Sequence, residues 1–105
     1  MTTRLEQLQQ MLAQEPNDAF LQYAIAIEYF SAGNFSKALE CFNTLLKNNP
    51  DYLAAYYQTG KCLEELKQIE EAKVIYKKGV ELAKKQDKQK TLNELNEALF
   101  LLEED

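Results

Sequence analysis

The sequence predicts an all-α chain of antiparallel helix–turn–helix repeats, about six helices in all. Three observations predict it. Gly and Pro are scarce, with three and two copies in 105 residues. So few breakers suit long helices and argue against a strand-and-turn fold. The two prolines, Pro16 and Pro50, lie 34 residues apart, and each is followed by Asn or Asp. Apolar residues recur at helical spacing over most of the chain.

Each proline marks a helix ending and another beginning. Proline has no N–H to continue a helix, and its ring restricts the residue before it. Asp18 and Asp51 then stand where a side-chain oxygen caps the next helix. Sliding the sequence by 34 aligns residue classes. Ile25, Ala26 and Tyr29 fall on Thr59, Gly60 and Leu63, and Phe35, Ala38 and Phe42 fall on Ile69, Ala72 and Tyr76. Tyr23 and Tyr57 are identical, as are Ala38 and Ala72. Small residues at Ala26, Gly60, Ala38 and Ala72 let helices approach, and large ones at Tyr29, Leu63, Phe42 and Tyr76 fill the space beside them.

This pattern resembles the tetratricopeptide repeat (TPR) family, with its W-x2-L-G-x2-Y, A-x3-F and P signature. Unit one, 19–52, fills those slots with Gln22, Ile25, Ala26, Tyr29, Ala38, Phe42 and Pro50. Unit two, 53–86, fills them with Tyr56, Thr59, Gly60, Leu63, Ala72, Tyr76 and Lys84. Gln22 departs from the family's aromatic, Thr59 from its leucine and Lys84 from its proline. The resemblance implies a TPR-like α-solenoid of the small bacterial type and a role in protein binding.

The flanks follow the same phase. Leu5, Leu8, Met11 and Leu12 form a stripe that predicts a half-repeat helix over 2–14. Leu92, Leu95, Leu99 and Leu102 predict a capping helix over 89–103. The whole of 1–105 then reads as one domain. Gly33 suits the left-handed residue that ends a helix. Lys67 and Gln68 must make the equivalent turn in unit two without glycine. Residues 84–90 carry neither Gly nor Pro. Asp87 offers a cap for a new helix there, and one continuous helix from about 70 to 103 is the competing reading.

The charge is −5. Nucleic-acid binders usually carry positive charge, so no nucleic-acid partner is expected. No apolar run is long enough to cross a membrane and no secretory leader is visible, so a cytoplasmic protein without a membrane partner is expected. Cys41 and Cys62 match no metal or redox spacing and read as reduced core thiols. Histidine is absent, and with it the usual general base and the Ser–His and Cys–His pairs. The glycines are isolated, so no phosphate loop is present. The chain is therefore not expected to be an enzyme, nor to hold a cofactor or metal.

Function is expected on the concave surface that the first helix of each pair lines. Its slots are Phe20, Tyr23, Ile27 and Phe30 in unit one, Ala54, Tyr57, Lys61 and Glu64 in unit two, and Lys88, Thr91, Leu95 and Ala98 in the last helix. Ten of the twelve residues from Ala19 to Phe30 are apolar. A helix apolar on all sides has a face to spare for a partner. The expected groove is Phe20, Tyr23, Ile27, Phe30, Tyr57, Lys61 and Leu95, and it would take a peptide or partner helix; the competing reading is that the N-terminal helix or ordinary packing covers these residues. A family subgroup clamps a peptide's terminal carboxylate with groove lysines and asparagines. The matching positions here are Tyr23, Ile27, Gln58, Lys88 and Leu92, and only Lys88 suits, so chaperone-tail recognition by that clamp is not expected. The alternative is an assembly module, a homodimer formed through the unit-one groove or through Phe100 and Leu101 on the last helix.

Overall fold

The computed structural model describes residues 3–103. Thr2, the first residue of the expected half-repeat, lies outside them. Six helices follow one another: α1 (Arg4–Gln14), α2 (Ala19–Ser31), α3 (Phe35–Asn48), α4 (Leu53–Glu65), α5 (Ile69–Gln86) and α6 (Gln89–Leu102). Among the described residues there is no strand. Each helix packs on the next in sequence, giving a stack 45 × 28 × 21 Å.

Local chemistry sets the helix ends. Thr3 accepts the Glu6 N–H at the start of α1, Asp18 accepts that of Leu21, and Asn34 accepts that of Lys37. Each satisfies one donor that the first turn leaves free. Asp51, expected to cap α4, does not. The N-cap there is Tyr52, without a side-chain hydrogen bond. Tyr52 is the 34-residue counterpart of Asp18, so the acid stands one residue too early.

Three turns share one geometry. At Gly33, Asn34 N–H donates to Tyr29 O and Gly33 N–H to Phe30 O. Lys67 and Gln68 repeat this against Glu64 and Leu63, and Asp87 and Lys88 repeat it against Lys84 and Ala83. This is the Schellman arrangement, which needs a left-handed residue. Gly33, Lys67 and Asp87 supply it with φ of 81°, 65° and 56°. Asp87 thus closes α5 rather than capping α6, and the chain breaks there without glycine or proline. Aspartate tolerates the left-handed region better than most residues, whereas lysine pays for its Cβ. Lys67→Gly should therefore stabilise the fold by up to about 1 kcal/mol, after glycine's larger unfolded-state entropy is counted. A raised urea midpoint at unchanged slope would show it.

The core runs along the stack in three patches. Leu8, Leu21, Ala24 and Ile25 join α1 to α2. Ala26, Ala38, Phe42, Leu45, Ala55 and Cys62 join α2, α3 and α4. Leu63, Ala72, Tyr76, Val80, Ala83, Leu95 and Ala98 join α4, α5 and α6. Tyr76 is fully buried and lies across Gly60, where there is no room for a Cβ.

Candidate binding surface

The stack has an inner and an outer side. The first helices of the pairs approach one another, α2 touching α4 and α4 touching α6, while α1, α3 and α5 are held apart. The inner surface is therefore lined by α2, α4 and α6. Of the residues expected there, Tyr23, Ile27 and Phe30 pack against the middle core patch, Phe20 is exposed on α2, and Tyr57 and Lys61 lie on α4.

These residues differ in how free they are. Phe20 is 65% exposed and stands next to Met11, at an open cleft of about 810 Å³ between α1 and α2. Ile27 and Phe30 are half-buried against the middle core patch. Phe30 meets Phe35 edge-on at 5.2 Å between centroids. Tyr23 leans on Tyr52 at 5.3 Å and on Phe42 at 6.0 Å. Tyr57 leans on Tyr76 at 6.2 Å. The rings of both tyrosines belong partly to the core. On α2 the large apolar side chain left exposed is Phe20.

The α4 side is polar and internally paired. Lys61 Nζ lies 5.3 Å from the Tyr57 ring centre and 3.7 Å from Glu64 Oε2. The same carboxylate oxygen accepts the Tyr76 hydroxyl. The α2 side is thus apolar, and α4 offers an ammonium group held by a ring and a carboxylate.

Leu95 does not belong to this surface. It is fully buried against Tyr76 and Val80, and Ala98 is buried with it. The reason is register. Helices α2 and α4 start 34 residues apart (53 − 19), but α4 and α6 start 36 apart (89 − 53), because α5 runs longer. Two extra residues turn a helix by about 200°, which carries Leu95 from the groove slot to the core slot that Thr59 fills. The corrected inner positions on α6 are Lys90, Asn93, Glu97 and Phe100, all exposed. The stripe Leu92, Leu95, Leu99 and Leu102 held this information. A helix that buries those leucines on α5 cannot also offer Leu95 to a ligand.

The buried acids of the core are weak ones. Burial, with the Glu64 hydrogen bond and charge, raises the Tyr76 phenol far above its ordinary 10.0. Burial, with the Glu65 charge, raises the Cys62 thiol from 9.0 to about 11. Burial likewise raises Cys41, so neither thiol is primed as a nucleophile. Both Tyr76 and Cys62 hold their protons in the fold at pH values where the unfolded chain has lost them. Their contribution is complete below pH 9 and is lost as pH rises through 9–11 and beyond. The urea midpoint should therefore fall across that range, and less steeply in Tyr76→Phe.

Among the described residues no group of His, Cys, Asp or Glu could hold a metal ion, and no helix is long and apolar enough to cross a membrane.

The tetratricopeptide repeat family model matches residues 23–85, more than half of the chain. A tetratricopeptide repeat domain protein from Salinibacter ruber, in its solution structure, is 39% identical with a TM-score of 0.79, over 84% of this chain and 89% of that one. Its crystal structure gives 38% and 0.78, over 82% and 96%. A Bordetella parapertussis protein is 26% identical with a TM-score of 0.87, over 97% of this chain and 89% of that one. A comparison with curated proteins gives no match. The chain belongs to the tetratricopeptide repeat family. Domains of that family are in general non-catalytic protein–protein interaction modules.

Proposed function

We propose that the chain binds a peptide or a partner helix along its inner surface, with an apolar anchor on α2 and a polar contact at Lys61. The observation that carries this reading is α2 itself. It is apolar nearly all round, it packs on α1, α3 and α4, and Phe20 still stands in solvent with Ile27 and Phe30 beside it. Exposed aromatic area of this kind is what partner contacts use. The two unpaired thiols suit a reducing compartment such as the cytoplasm.

Peptides selected from a displayed random library against the chain supply a defined ligand. Tyr23→Ala and Tyr57→Ala would disturb the core as well as the groove, so Phe20→Ser is the cleaner variant. It should weaken the selected peptide by about tenfold, the loss of more than 1 kcal/mol typical of an anchor residue. It should leave the thermal midpoint nearly unchanged, because an exposed site contributes within about 0.5 kcal/mol. Unchanged affinity in Phe20→Ser and in Lys61→Ser would remove the inner surface from consideration.

A second reading rests on Phe100 and Leu101, which are 64% and 60% exposed on α6. A terminal helix with two large apolar side chains in solvent suits self-association. Light scattering that shows a monomer at high concentration would set it aside.

A further inference from the structure

The two ends of the stack carry open faces of complementary phase. In each complete unit the second helix turns one face to its own first helix. On α5 that face is Ala72, Tyr76, Gly79 and Ala83, all buried. It meets α4 closely: Tyr76 lies over Gly60, and a Cβ at Gly79 would stand 2.9 Å from Tyr56 Cβ. On α3 the same face is Ala38, Phe42 and Leu45, each fully buried in the patch shared with Ala26 of α2. Helix α1 continues the phase one repeat earlier with Arg4, Leu8, Met11 and, at its end, Glu15. Leu8 reaches α2, but Arg4, Met11 and Glu15 are exposed, Met11 at 54%. Met11 and Glu15 line the 810 Å³ cleft together with Leu21. One repeat on, the counterparts Leu45 and Ala55 are fully buried beside α2. The cleft therefore has the place of a first helix, and no helix among the described residues fills it. Helix α6 is the converse, a first helix with no second. At its offset of 36 residues from α4 (89 − 53), Leu92, Asn96 and Leu99 answer to Tyr56, Gly60 and Leu63, which are buried against α5. On α6, Asn96 is exposed and the two leucines are only half-buried. Phe100, in solvent, answers to Glu64, which takes the Tyr76 hydroxyl.

We infer that a second copy of this chain fills the cleft: α6 of one copy docks on the open face of α1 in the next, as α4 docks on α5. Stacked repeats bury such end faces by adding a further repeat, and α6 with the next copy's α1 makes one. Size and charge match along that line. Within unit two a small residue faces a ring, Gly60 against Tyr76. At the junction the larger Asn96 faces the smaller Leu8, while Leu92 covers Met11 and Phe100 packs beside Leu8. The start of a first helix lies beside the end of its second, as Gln86 donating to Asp51 O shows. Lys88 thus comes to Glu15. At the far end Glu103 comes to Arg4, whose pairing with Glu28 leaves it largely in solvent. The contact is head to tail, so it does not pair two copies symmetrically but builds an open row of them. It goes beyond association through α6 alone. Ala54, the counterpart of Phe20, stays exposed beside α2. Stacking therefore leaves Phe20 to the inner surface, and peptide binding there stands or falls separately.

Light scattering of the full chain should show an average mass that rises with concentration past that of a dimer. Met11→Asp blocks the α1 face and Phe100→Asp blocks the α6 face. Both sites are exposed, so each variant should keep its thermal midpoint. Each variant alone should self-associate about tenfold more weakly or less still. Mixed, the two should form a one-to-one pair and stop there, because the first keeps an intact α6 face and the second an intact α1 face. A monomer at high concentration, a mass that levels at a dimer in the unaltered chain, self-association retained by either variant alone, or no pairing in the mixture would each overturn the proposal.

Discussion

Tyr76→Ala should destabilise the fold by about 3–5 kcal/mol, the loss expected when a large buried aromatic is truncated. The ring is fully buried at the centre of the α4–α5–α6 patch, against Leu63, Ala72 and Val80, and its hydroxyl donates to Glu64. A domain of this kind has about 5–15 kcal/mol in all, so the variant would sit near the edge of unfolding at room temperature. Tyr76→Phe keeps the ring and loses only the hydroxyl, so it should cost about 1 kcal/mol. Urea unfolding of the two variants separates packing from hydrogen bonding. A Tyr76→Ala cost below that of Tyr76→Phe would mean that this patch is not close-packed.

Gly60→Ala should also destabilise, by about 1–3 kcal/mol, although alanine in a helix interior normally gains close to 1 kcal/mol over glycine. The added Cβ would stand 2.7 Å from Tyr76 Cδ1, 2.5 Å from Cζ and closer still to Cε1. The ring has no free space to move into, so the helices must part. The sign of the effect depends on the ring. In a Tyr76→Ala background, Gly60→Ala meets a void and should stabilise, recovering the helical preference. Such a reversal in a double-mutant cycle reports direct contact between the two positions. Additive effects would contradict the close approach of α4 and α5 at Gly60.

Much of this packing is legible in the sequence. The alternation of small and large residues at Ala26, Gly60, Ala38, Ala72, Phe42 and Tyr76 states which helices approach and what fills the gap, because close packing leaves few other solutions. The prolines mark where units begin. Residues whose role depends on backbone conformation are harder to read. Lys67 and Asp87 adopt the left-handed state because the repeat phase requires a turn there, not because their side chains favour one strongly. The register of α6 is harder still. The chain from 84 to 90 is all polar, so nothing marks how far α5 runs, and an error of two residues moved Leu95 from core to groove. The exposure of Phe20 on α2 fits a helix with more apolar faces than its neighbours can cover.

The most direct test of the inner surface as the binding face is a footprint. A library-selected peptide, added to the isotopically labelled chain, should shift the signals of Phe20, Tyr23, Ile27, Phe30, Tyr57 and Lys61 and leave the exposed faces of α3 and α5 unchanged. Shifts confined to those outer faces, around Lys77, Lys78 and Val74, with α2 silent, would contradict it.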